Sequence, residues 1–131
     1  MSRRELREQI FKLLFRIEFN SPEEMPEQEK FFFEDTCEAD DNESAYISAK
    51  YRKIVEKLDT IDSMLNEKAE NWDTARMGKV DLTILRLAVY EITFDEEIPT
   101  GVAINEAVEL AKKFGQDASS GFINGILAKF A

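Results

Sequence analysis

Histidine is absent from this sequence, and with it go the usual general base, the commonest metal ligand and every Ser-His or Cys-His dyad. A single cysteine, Cys37, excludes an internal disulfide and points to a reducing compartment. No apolar run approaches the roughly 20 residues that cross a bilayer, and the start of the chain shows neither an apolar core segment nor a cleavage site for export. Only five glycines and three prolines interrupt 131 residues, so long uninterrupted elements are expected. Together these scarcities predict a cytoplasmic, non-membrane, non-enzymatic protein that carries no cofactor or metal and forms a single domain over residues 1–131.

Charge is plentiful but one-sided. The net charge is −10, which weighs against a polyanionic partner, since affinity for nucleic acid rests largely on Lys and Arg. The distribution softens that objection. Residues 21–45 hold ten acids against Lys30 alone, whereas residues 2–20 hold Arg3, Arg4, Arg7, Lys12 and Arg16 against three acids. The N-terminal end is therefore locally positive by two.

Apolar spacing predicts helices throughout. Leu6, Ile10, Leu13, Leu14 and Ile17 mark one face of a first helix, which Ser21-Pro22 ends. A second helix is expected over 27–37, carrying Phe31 to Phe33, followed by an acidic connector to Glu43. Residues 44–71 contain no Gly or Pro and keep a 3.6-residue rhythm, with a break expected near Thr60. Asp73 caps a short turn, and the crowded run from Leu82 to Ile92 predicts a central buried helix over 80–94. Another helix is expected over 101–114, with Gly115 as a left-handed stop, and a last one capped by Asp117. No strand alternation persists. The fold class is all-α, with six or seven helices.

Few residue groups carry chemistry. Arg3, Arg4 and Arg7 sit on neighbouring turns, where guanidinium groups fork onto phosphates or stack on bases; a solvated helix face is the plainer alternative. Phe11, Phe15 and Phe19 form a row beside the main apolar stripe. Core packing is expected for Phe11 and Phe19, while Phe15 is a candidate stacking platform. The acidic stretch lacks the order of a calcium loop, Ser119 and Ser120 have no activating base, and Cys37 has none either. Lys112-Lys113 at a helix C-terminus need no ligand. Gly125, inside a helix, suggests a close helix crossing or a special surface.

Several segments in this order resemble the NusB family of bacterial transcription antitermination factors. They are Arg7-Glu8 with Leu13-Leu14-Phe15, the stretch Asp81 to Glu91, Ile98-Pro99, Val102 to Lys112, Phe114-Gly115, and Phe122-Ile123-Asn124-Gly125-Ile126-Leu127. Agreement is strong over 80–127 and moderate over 3–19, while 20–75 matches only in helical character. The resemblance implies two small helical bundles, a heterodimer with the ribosomal protein NusE, shared binding of single-stranded boxA RNA, and indirect membership of the RNA polymerase complex that reads through terminators in ribosomal RNA operons. Some relatives self-associate, so the resemblance leaves a homodimer open.

By position, Arg3, Arg4, Arg7, Phe15, Arg86, Phe122 and Asn124 are implied to meet RNA, and Phe15, Asp81 and Phe122 to meet the protein partner. Gly121 stands where relatives often carry a basic residue, Glu5 interrupts the arginine run, and no basic extension follows Ala131. Weak RNA binding without the partner is the expectation. Two other functions compete: a helical adaptor that binds only protein, and a free-standing relative of the RNA-binding domain of ribosomal RNA cytosine methyltransferases, whose cofactor loop and catalytic cysteine are missing.

Overall fold

The computed structural model describes residues 1–131 and contains seven α-helices, short 3-10 and π turns, and no strand. None of the helices is long and apolar enough to cross a membrane. The chain divides into two compact units, Met1–Val55 and Glu56–Ala131.

In the first unit, α1 (Arg3–Phe15) opens on a capping box. The Ser2 hydroxyl accepts from the Glu5 backbone N–H at 3.0 Å and the Glu5 carboxylate accepts from the Ser2 N–H at 3.1 Å. Its stripe of Ile10, Leu13 and Leu14 is buried. After a 3-10 turn (Arg16–Glu18), α2 (Met25–Phe31) begins with Pro26 in its first turn, where a missing N–H costs nothing. It widens into a π turn, Phe32–Thr36, that buries Phe32 completely. The second helix therefore starts two residues earlier than its periodicity indicated and ends at an extended Cys37. Helix α3 (Asp41–Glu56) takes in part of the predicted acidic connector. Asp40 Oδ1 accepts from the Glu43 N–H at 2.8 Å and Glu43 Oε1 from the Asp40 N–H at 3.0 Å, a second capping box. Acids there also face the positive end of the helix dipole. Glu29 ties α2 to α3 through Ser48 (3.1 Å) and Arg52 (2.6 Å).

The long helical stretch breaks at Lys57, three residues before the expected Thr60, and resumes in the second unit as α4 (Leu58–Lys68). Asp73 caps a 3-10 turn over Thr74–Arg76 as predicted, its Oδ1 accepting from the Arg76 N–H at 3.1 Å. Helix α5 (Lys79–Phe94) is central, touching α4, α6 and α7, and every residue from Leu82 to Glu91 is buried. Helix α6 (Thr100–Phe114) packs on α5, and α7 (Ser119–Leu127) packs on both.

Two local expectations give way here. Gly115 has φ −91° and ψ −170°, extended rather than left-handed. Its missing side chain serves space, since a Cβ would lie 2.6 Å from the Ser119 Cβ and 2.7 Å from the Ala111 carbonyl oxygen. The start of α7 falls to Ser119 instead of the expected Asp117 cap; the buried Ser119 hydroxyl accepts from the Gln116 N–H at 2.9 Å and closes the turn. Gly125 meets nothing within 4 Å, so no helix crosses there.

Candidate nucleic-acid interface

In the first unit, α1 presents its opening turn. Arg3 and Arg4 are exposed. Arg7 is not: it is 7% exposed and engaged within the structure, so the three-arginine arm implied by the resemblance reduces to two at the surface. One helical turn separates Arg7 from Arg3 and Arg4, and the buried stripe of α1 carries it inward with Ile10 and Leu14. Arg16 is also occupied. Its guanidinium donates to the Gln28 carbonyl and side-chain oxygens (both 3.2 Å) and to Thr36 Oγ1 (3.0 Å), and lies over the Phe32 ring. Hydrogen bonds from Ser2, backbone first and side chain second, hold the Glu5 carboxyl below the usual range, so it stays ionised beside the arginines.

The phenylalanine row divides differently from its spacing. Phe11 is buried as expected, but Phe19 is 61% exposed. The helix has already tightened into a 3-10 turn and ended by then, and Phe19 leaves the face that a continued helix would have given it. Phe15 is half-buried between them, stacked on Phe11 at 6.0 Å and edge-on to Phe19 at 5.1 Å. Aromatic surface thus reaches solvent from Phe15 to Phe19.

In the second unit, Asp81 and Phe122 line one open cavity of about 510 Å³. The beginning of α5 supplies Gly78 to Asp81, the end of α6 supplies Phe114, and the start of α7 supplies Phe122. Trp72, not singled out by its spacing, forms another wall. Its ring meets Phe122 at 5.4 Å and 74°, and the Arg76 guanidinium lies 5.8 Å from its centre. Its status as the only tryptophan, in a segment between two helices, was the one available signal.

Arg86 and Asn124 do not join this cavity. Arg86 is 9% exposed, and its guanidinium forks onto Asp62 of α4, with Nε to Oδ1 at 2.9 Å and the second nitrogen to Oδ2 at 2.8 Å. A guanidinium committed twice to a carboxylate ties α4 to α5. Asn124 is exposed on another side of α7, lining a shallow groove of about 480 Å³ with Ile104, Asn105, Val108 and Gly121. Phe122 and Asn124 are two positions apart on a helix and so face different ways.

No cluster of three or more acidic or cysteine side chains is placed to hold a metal ion. Cys37 is buried, and burial pushes its thiol above the ordinary value and away from reactivity.

Comparison with known proteins gives the same picture a context. A family model described as the NusB family matches residues 4–131. The transcription antitermination protein NusB of Agathobacter rectalis is 50% identical over 131 residues, covering all of both chains. Among solved structures, T. maritima NusB superposes with a TM-score of 0.87 at 37% identity, covering 100% of this chain and 91% of that one. A crystal structure of antitermination factors NusB and NusE in complex with dsRNA shares the fold, with a TM-score of 0.80 at 24% identity over 98% of this chain and 94% of that one. The chain belongs to the NusB family of transcription antitermination proteins.

Proposed function

We propose that this protein binds single-stranded boxA-type RNA jointly with a NusE-type ribosomal protein, and through that complex helps RNA polymerase read through terminators in ribosomal RNA operons in the cytoplasm. The observation that carries the reading is the meeting of Asp81 and Phe122, distant in sequence, on one open aromatic cavity. Exposed Arg3 and Arg4 supply positive charge for phosphates, and the Phe15–Phe19 edge supplies rings for bases. A neighbour of the same fold crystallised with NusE and dsRNA supports trying a NusE-type protein and RNA together, the single-stranded form being this proposal's own. No chemistry is required: two weak surfaces sharing one RNA strand give a tight assembly when the partner holds the same ligand.

With only two exposed arginines on α1 in a chain of net charge −10, affinity for RNA alone is weak. The test is anisotropy of a labelled boxA RNA at two salt concentrations, with and without the NusE-type protein. Binding that needs the partner and falls with salt supports joint recognition. Partner binding without any RNA binding replaces it with the adaptor reading.

A further inference from the structure

The capping box that opens α1 closes around two residues, and they are the two exposed arginines. Ser2 caps the helix and Arg3 and Arg4 hold its first two positions. Glu5 reaches back across them to the Ser2 N–H at 3.1 Å, while its own N–H donates to the Ser2 hydroxyl at 3.0 Å. The first rung of the helix follows directly, from the Leu6 N–H to the Ser2 carbonyl at 3.0 Å. Arg7, buried and engaged, fixes the inner side of the same turn.

Stability alone does not explain this turn. Two cations at the positive end of a helix dipole are unfavourable, and exposed side chains bury little that offsets the cost. A local rule broken at an exposed position points to a ligand, and two guanidiniums on a helix N-terminus suit phosphate. Glu5 then has two opposed effects. Its charge opposes a polyanion, yet the carboxylate is spent on the Ser2 N–H and faces the positive end of the helix, which offsets it. At physiological salt a charge that touches no phosphate is also screened within about 8 Å. Ordering is not screened. First turns fray, and a frayed turn has to be ordered as RNA binds, at the expense of affinity.

We infer that Glu5 is a positioning residue for RNA binding: with Ser2 it holds the first turn of α1 formed, so that Arg3 and Arg4 meet phosphates from a fixed backbone. The inference rests on the proposed RNA-binding function and adds to it a residue that touches no RNA. Glu5 thus does more than interrupt the arginine run.

The full chain with the NusE-type partner is titrated with labelled boxA-type RNA by anisotropy, as wild type, Glu5→Gln and Glu5→Ala, each first shown folded by circular dichroism. Glutamine keeps the box without the charge and alanine removes both, so the two variants share a net charge and differ in the box. Glu5→Gln should bind within about 2-fold of wild type, and Glu5→Ala about 5-fold more weakly than Glu5→Gln, the size of a lost cap. Their salt slopes should match, since the bound contacts are the same. In an Arg3→Ala, Arg4→Ala background the difference should vanish, because Glu5 acts through those arginines. Affinity for the partner without RNA should be the same throughout.

Equal RNA affinities of Glu5→Gln and Glu5→Ala overturn the inference and leave the RNA-binding function standing. So does a difference that persists without the arginines, or one that appears equally in partner binding, since either gives Glu5 a purely structural role. Absence of any RNA binding by the wild type sinks both.

Discussion

Arg86 and Asp62 are joined by a two-point fork, 2.9 Å and 2.8 Å, with the arginine side chain 10% and the aspartate side chain 23% exposed. Arginine in a helix of an RNA-binding family invites a ligand; here the charge is spent on holding α4 against α5. Arg86→Ala leaves a largely buried carboxylate without its partner. It should lower unfolding stability by about 2 kcal/mol, less than the roughly 3 to 5 kcal/mol of a fully buried broken pair because water still reaches Asp62. Arg86→Lys keeps charge but loses the fork and should cost about half of that. Urea denaturation measures both. An RNA affinity that falls more than the unfolded fraction explains would return Arg86 to the interface.

Arg3 and Arg4 should behave in the opposite way. Both are exposed at the first turn of α1, where acidic replacements suit the helix dipole. The double change Arg3→Glu, Arg4→Glu should leave thermal stability within about 0.5 kcal/mol while weakening RNA binding. The slope of log K against log salt should shrink by up to about 2, close to one unit for each lost phosphate contact. An unchanged slope would show that neither arginine meets phosphate.

Gly115 is required by space. A Cβ 2.6 Å from Ser119 and 2.7 Å from a backbone oxygen has no flexible neighbour to push aside. Gly115→Ala should therefore destabilise by about 2 kcal/mol and shift the start of α7, whose Phe122 forms a wall of the cavity. A thermal shift of a few degrees downward, together with altered Trp72 emission, checks it. A melting temperature equal to wild type would contradict the tight corner.

Tyr51 of α3 is buried, and desolvation first, with the Glu29 charge second, pushes its phenol from the ordinary 10 up to about 12. A group whose folded value is raised stabilises fully below its unfolded value and loses that contribution as pH climbs through the folded one. Stability should therefore fall between pH 10 and about 12. Tyr51→Phe should remove the highest-titrating tyrosinate absorbance and flatten that part of the alkaline limb. A tyrosinate step near 12 that persists in Tyr51→Phe would assign it elsewhere.

Helix positions were legible from apolar spacing because a helix buries one stripe, and Leu6 to Leu14 or Leu82 to Ile92 announce theirs without reference to any other segment. Capping was legible where short-range chemistry suffices, as at Asp73, and was missed at Asp40 because the acidic stretch looked like solvated chain. The π turn at Phe32 and the break at Lys57 carry no Gly or Pro to mark them.

The sequence by itself determined the all-helical architecture and, through its motifs, the family. What only tertiary structure decided is where each charged or aromatic side chain ended. Arg7 and Arg86 went inward, Phe19 went outward, and Trp72 joined Phe122 and Asp81 around one cavity. The reason is physical. Helix formation rests on contacts three and four residues apart, while the fate of a guanidinium or an indole depends on which distant carboxylate, ring or solvent it meets once the helices have packed.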